Sequence, residues 1–295
     1  MTATPGPDPV LLVGVDVGTS AVKAGAVRPD GTLVAVASRP TPPLDGPADA
    51  LVATALSVVR DTVDATGAAR VAAVGVAGMA ETGVPLDADL RPLGPLVAWT
   101  DRRSAVDADA IAARLGAAEV YAITGLTPGP KRPLTTWHRL RRTAPGVLDR
   151  MRVWAHAVEL AAFGLTGVVA TEASLAARTM AYDIVARCWH DALLAEAGLD
   201  PGRLPPVVPP GAAVGTVTPA AAAATGLRAG VPVVLAGHDH AVGATRRGCA
   251  GPVTSRCRSA PPRPPSPSPT GCPRPLPGSP RGSPSAASST AGPTT

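Results

Sequence analysis

VLLVGVDVGTSAVKAGAV, residues 10–27, is the stretch on which the reading of the whole chain depends. Val10, Leu11, Leu12, Val13 and Val15 make a short apolar run rich in β-branched residues, bounded by Pro9 and Gly18, and so read as a buried strand. Asp16 falls where that strand runs out. Gly18, Thr19 and Ser20 make the turn, and residues 21–27 return as a second strand. Gly18 has no Cβ to hold a ligand away from the backbone. The hydroxyls of Thr19 and Ser20 and the neighbouring N–H groups can face phosphate oxygens, Asp16 can hold a divalent ion through water, and Lys23 can add positive charge. The same residues also suit an ordinary hairpin whose Asp and Thr satisfy turn backbone.

Outward from there, residues 32–38 follow an Asp30-Gly31 turn as a third strand, completing an antiparallel meander. A proline-rich loop leads to a helix over 48–66, where Leu51, Ala55, Val58 or Val59, and Val63 recur at helical spacing and Gly67 is the stop. Residues 71–77 (VAAVGVA) read as a buried strand. The order β-β-β-α-β predicts an α/β fold with a mixed sheet and helices on its faces. Residues 78–82 leave the end of that strand as a loop. Ligands gather at strand ends in such sheets, so Glu81 is placed to accept hydrogen bonds from hydroxyls, although a solvated loop carboxylate reads the same way. A hairpin is expected from residues 84–86 and 94–99, ending at Asp101, Arg102 and Arg103. Those three can bind substrate or pair with one another. Ser104 is placed to cap a helix reaching Leu115.

The second half reads as helical over 131–142 and again over 146–167, broken at Pro145. Residues 171–174 form a loop before a helix or turn, a short helix covers 189–198, and residues 199–210 are a proline-studded loop. After a small strand at 215–217, a helix over 219–225 has Thr218 as cap and Gly226 as stop. Residues 231–236 (VPVVLA) are the last clear buried strand. They deliver Gly237, His238, Asp239 and His240, followed by a small-residue helix over 241–247. Asp239 therefore sits at a strand-to-helix junction, where its charged form is favoured. It can take the proton of an attacking hydroxyl or simply cap the helix. His238 and His240 are expected on opposite sides of the backbone, and a metal pair there lacks a third ligand.

Composition narrows the classes. With 295 residues, 45% hydrophobic and 2% aromatic, the core must be built from Val, Leu and Ala. Lysine occurs only at Lys23 and Lys131. The net charge of +5 resides in the end of the chain. Arg256, Arg258, Arg263, Arg274 and Arg281 fall in residues 251–295, which hold no acid, so residues 1–250 carry 22 basic and 22 acidic side chains. A neutral body with no basic stripe gives no electrostatic case for nucleic acid. No apolar run approaches the roughly 18 residues needed to span a bilayer, and the first residues lack the pattern of a signal peptide. Cys188, Cys249, Cys257 and Cys272 show no metal-ligand spacing and fit reduced thiols in a cytoplasmic protein. Thirteen prolines crowd residues 251–295 with hardly any large apolar side chain, the composition of a disordered segment.

Five motifs arrive in order: Asp16-Val17-Gly18-Thr19-Ser20 with Lys23; Gly78-Met79-Ala80-Glu81-Thr82; Ala98-Trp99-Thr100-Asp101-Arg102-Arg103; Leu165-Thr166-Gly167 followed by Thr171-Glu172-Ala173-Ser174; and Gly237-His238-Asp239-His240. In this the chain resembles the N-terminal, substrate-side domain of the FGGY carbohydrate kinases, which include glycerol kinase, xylulokinase and gluconate kinase. Residues 198–237 are most similar to xylulokinase-like members.

The resemblance implies a ribonuclease-H-like domain of the actin and sugar-kinase superfamily over residues 10–248. It implies phosphorylation of a sugar or polyol hydroxyl with ATP and Mg²⁺, in the cytoplasm, with a second copy of the chain as a partner in assembly. By position, Asp239 resembles the catalytic base. Asp16 resembles the aspartate that holds Mg²⁺ through water, and Gly18, Thr19, Ser20 and Lys23 resemble the first phosphate loop. Met79, Glu81, Asp101 and Asp239 resemble the substrate pocket. Many members carry Arg or His where this chain has Ala80, which removes a substrate donor. A non-catalytic sugar-binding remnant and an actin-like ATPase are the other readings. The family's second domain has no counterpart in residues 249–295. Shifted in frame, codons for residues 259–264 can encode Gly-Thr-Ala-Glu-Ala, so this tail is expected to be a frameshifted remnant of that domain.

Overall fold

The computed structural model describes residues 10–66 and 70–246. The proline-rich segment 249–295, the helix stop at Gly67 and the end of the 241–247 helix fall outside the described residues. The chain opens with β1 (Val10–Val17), β2 (Ala21–Val27) and β3 (Leu33–Pro40), joined antiparallel as expected. Along β1 the side chains of Leu11, Val13, Val15 and Val17 are buried while Val10 and Leu12 are exposed, the alternation that a strand with one covered face requires. α1 (Ala48–Thr66) covers that face, burying Leu51, Ala55, Val58, Val59 and Val63. β4 (Arg70–Gly78) then returns parallel to β1.

The middle of the chain departs from the sequence reading. β5 (Gly83–Leu86) is followed by α2 (Ala105–Leu115), α3 (Ala117–Thr124), α4 (Pro133–Thr143) and α5 (Pro145–Arg150). Next comes β6 (Val153–His156), a strand inside the run expected to be helical, and only then α6 (Ala157–Thr166). β5 pairs with β6 along its whole length, whereas the expected hairpin partner, residues 94–99, contributes only the isolated bridge Gly83–Val97. All four residues of β6 are buried, so the strand shows no alternation to set it apart from a buried helical turn. The Ser104 side chain does not cap α2; its Oγ accepts a hydrogen bond from Arg139 Nε at 3.1 Å.

Short elements follow: β7 (Thr171–Glu172), α7 (Ala173–Ala177), β8 (Tyr182–Asp183), β9 (Cys188–Trp189), α8 (Asp191–Ala195) and β10 (Val207–Val208). The chain then rejoins the main sheet with β11 (Ala213–Thr216), α9 (Pro219–Thr225), β12 (Pro232–His238) and α10 (Asp239–Arg246). Thr218 caps α9 by accepting the Ala221 N–H, and Gly226 ends it in the left-handed conformation. The six-stranded sheet has the order β11-β12-β4-β1-β2-β3, with β12, β4 and β1 parallel and the remaining pairs antiparallel.

Two cores result. The buried members of the first, between the sheet and helices α1, α6 and α9, are aliphatic side chains and Met79. The second lies among α2–α5, α7 and α8 and gathers most of the few aromatics. There Trp137 meets Trp154 edge to face at 5.7 Å, and Tyr182 meets Trp189 at 5.5 Å. The expectation of a core built from Val, Leu and Ala holds for the first core apart from Met79 and fails for the second. No helix among the described residues is long and apolar enough to cross a membrane.

Candidate active site

Three adjacent parallel strands end on one line. Gly78 of β4 stands in register with Val17 of β1 on one side and with His238 of β12 on the other. The backbone is tight here: Gly78 has φ of 156°, and a Cβ on it would sit 2.4 Å from the carbonyl oxygen of Val17. The carboxyl ends of such strands are where α/β sheets bind ligands. Asp16, Met79, Glu81 and Asp239 all belong to this edge or to the loops that leave it.

Asp16 faces Lys23 across the β1–β2 pair. Burial pushes the Asp16 carboxyl above its ordinary pKa; the Lys23 charge offsets part of the rise and the negative charge of Asp239 adds to it. Asp16 and Asp239 thus sense one another across the strand ends. Thr41 pins the turn between β1 and β2, its Oγ donating to the Gly18 carbonyl at 2.7 Å and its N–H to that of Ser20 at 3.1 Å. Thr19 and Ser20 are exposed. The Thr19 hydroxyl takes a hydrogen bond from Trp99 Nε1 at 3.2 Å and lies 4.0 Å from Met79 Sδ. It therefore ties the first turn to the β4 loop.

Glu81 is 93% buried and adopts φ of 66°, a left-handed conformation rare for a side chain of its size. Its Oε1 draws three cations. Arg132 lies at 2.6 Å, Arg178 at 2.6 Å and Lys131 at 3.9 Å. Lys131 also stands over the Trp99 ring, 5.9 Å from its centre.

The end of β12 is held by α7. Glu172 caps that helix, accepting the N–H groups of Ser174 and Leu175 at 2.9 and 2.7 Å. The Ser174 hydroxyl donates to Glu172 and accepts the His238 N–H at 2.9 Å. Asp239 opens α10. The two histidines do not lie on opposite sides of the backbone. Strand gives way to helix at Asp239, and both rings turn to its Oδ1, His238 Nε2 at 3.2 Å and His240 Nδ1 at 3.5 Å. The His240 N–H also donates to Oδ1, at 2.6 Å. Burial lowers the His238 pKa more than the neighbouring Asp239 raises it, which favours the neutral imidazole.

Residues 11–245 match the model of the N-terminal domain of the FGGY family of carbohydrate kinases. The chain belongs to the FGGY family. It is 30% identical over 242 residues to the xylulose kinase of Escherichia coli strain K12, covering 79% of this chain and 49% of that one. To the glycerol kinase of Xanthobacter autotrophicus it is 32% identical over 216 residues, covering 66% of this chain and 43% of that one. The crystal structure of xylulose kinase from Rhodospirillum rubrum superposes with a TM-score of 0.76 at 28% identity, over 82% of this chain and 51% of that one. The fold expected from the motifs, that of the actin and sugar-kinase superfamily, is the one found. The chain spans about half the length of the curated relatives it matches.

Asp101 lies two residues beyond Trp99. Its carboxylate is taken by Arg103, at 2.7 Å, with Arg139 at 3.8 Å, and these partners hold its pKa below the ordinary value against burial, the largest single influence. Ala80, where many FGGY members have Arg or His, is buried. Positive charge reaches Glu81 instead from Arg132 and Arg178, 51 and 97 residues along the chain. Neither lies in a motif. Lys131 did carry a signal: in a chain that otherwise uses arginine, its only two lysines, Lys23 and Lys131, both stand at the strand-end edge. A cavity of about 1030 Å³ lined by Arg152, Tyr182, Trp189 and Pro205 lies elsewhere and shares none of these residues.

Proposed function

We propose that this domain is the substrate-binding half of a carbohydrate kinase that transfers the γ-phosphoryl group of ATP to a hydroxyl of a sugar or polyol. One observation carries the reading: the parallel register of β1, β4 and β12 brings Asp16, Glu81 and Asp239 to a common edge. In this reading Glu81 binds a substrate hydroxyl and Asp239 takes the proton of the attacking one. The rings of His238 and His240 and the His240 N–H all meet Asp239 at Oδ1.

The residues present fit a divalent ion. Burial and the charge of Asp239 both act against ionised Asp16, and a cation between the two carboxylates would relieve them. Asp16 would hold Mg²⁺ through water, where the ion neutralises phosphate charge; Gly18 and the exposed Thr19 and Ser20 would border the phosphates. Phosphoryl transfer depends on positioning and electrostatics more than on covalent chemistry by the protein. In this reading the nucleotide is gripped by a second half of the kinase, and the domain acts in the cytoplasm.

The test is titration of the ¹⁵N-labelled 295-residue chain with pentoses, polyols and sugar acids. Saturable shifts at Met79, Glu81 and Asp239 that disappear in Glu81→Gln support the reading. Binding that leaves those signals unmoved, or no binding across the panel, contradicts it.

A further inference from the structure

We infer, resting on the carbohydrate-kinase reading of this cleft, that the substrate bears a carboxylate, and that Arg178 and Lys131 receive it beside Glu81 while Arg132 anchors Glu81 from below. A neutral sugar needs one oriented carboxylate and few cations. Here one carboxylate oxygen faces three cations, at 2.6, 2.6 and 3.9 Å. The local charge is therefore positive by two, in a place where Glu81 is almost fully buried.

Two acids nearby already have cations of their own. Asp16 is matched by Lys23, and Asp101 by Arg103 and Arg139. Asp239, with His238 and His240 on its Oδ1, and Glu172, which caps α7, bring further negative charge to this end of the sheet without touching the three cations at Glu81. Arg132 is the least exposed of the three cations. Burial, and next the Arg178 charge, lower its pKa, and Glu81 does not make up the difference. The Arg132 Nε–H is also buried with no acceptor, so part of its donor capacity is unspent. Unmatched buried charge is costly, and an arriving anion removes the cost.

Exposure divides the work among the three cations. The Arg132 side chain is 11% exposed, those of Arg178 and Lys131 24% and 37%. The last two can meet a ligand without unpairing Glu81. Arg178 and Glu81 both act electrostatically on His238, so this ion pair lies within reach of the Asp239 end of the cleft. Lys131 is held over Trp99, whose indole reaches Thr19. The guanidinium fork of Arg178 suits a planar carboxylate.

The experiment is calorimetric titration of the 295-residue chain with four- to six-carbon aldonates, the matching alditols, glucose 6-phosphate and acetate. An aldonate is expected to bind at least about tenfold more tightly than its alditol, with a preference that shrinks as salt is added. Arg178→Gln, and separately Lys131→Gln in case the first perturbs the fold, should erase most of that preference while near-UV circular dichroism stays unchanged. Equal binding of aldonate and alditol, or a preference that survives both substitutions, overturns the inference and leaves the cleft reading standing. Tighter binding of the sugar phosphate overturns the carboxylate assignment. Acetate binding as tightly as an aldonate means that the cluster takes any small anion, which also overturns it. Binding of neither acids nor alditols overturns both readings together.

Discussion

The Ser174 hydroxyl accepts the backbone N–H of His238 at 2.9 Å, 64 residues further along the chain. This contact fastens the end of β12, and with it Asp239, to the start of α7. It also makes Gly237 irreplaceable. Gly237 has φ of 110°, and a Cβ there would meet Ser174 Oγ at 2.6 Å and Glu172 Oε1 at 2.8 Å. Gly237→Ala is expected to cost ~1–3 kcal/mol of stability from the backbone alone, read by urea denaturation. Adding Ser174→Ala should recover part of that loss, because the clash and the contact share one atom. Purely additive costs would show that the hydroxyl does not set this loop.

Asp16 should make the isolated domain less stable at neutral pH. Its folded-state pKa lies above the ordinary 3.8, mainly through burial. Below 3.8 the carboxyl is protonated whether the chain is folded or not. As pH rises, the unfolded chain ionises first, so stability falls until the pH passes the raised native value and then stays reduced. Asp16→Asn removes the penalty. The variant should therefore melt higher than the parent at pH 7, with the gap closing as pH is lowered toward 4. Millimolar Mg²⁺ should raise the melting temperature of the parent and not that of the variant. A variant less stable than the parent at pH 7 would mean that Lys23 outweighs the burial of Asp16.

Glu81 holds three cations together, so its loss should be felt as repulsion. Glu81→Gln leaves Arg132 and Arg178 facing each other in a half-buried site and is expected to cost about 3 kcal/mol, the scale for breaking a buried pair. Sulfate should restore more stability to this variant than to the parent, since an anion can enter where the carboxylate was. Thermal melts in matched sodium chloride and sodium sulfate decide it. Equal gains for both proteins would show that the cations do not need Glu81.

The sheet was largely legible because its signals are local. Alternation in β1, the period of α1 and the Thr218–Gly226 bracket of α9 each lie within a few residues of what they specify. β6 was hidden because a four-residue strand buried throughout has no period of its own. Asp16, Glu81 and Asp239 could be read from strand ends, which a sequence marks with the change from apolar run to loop. Arg132 and Arg178 could not: each reaches Glu81 only after the chain has folded back on itself, and neither sits in a pattern that short-range spacing reveals.

The assignment of Asp239 as the proton acceptor is tested most directly by turnover in a protein that has both halves of a kinase. Residues 1–248 would be joined to the C-terminal half of a structurally similar xylulose kinase, and ADP release followed with ATP, Mg²⁺ and the sugar or sugar acid that the domain binds. Asp239→Asn keeps the shape of the side chain and loses the base. The substitution should lower kcat by about 10² to 10⁴ while the Kd for the sugar, measured on the same protein, stays within a few-fold of the parent. A kcat close to that of the parent would contradict the assignment.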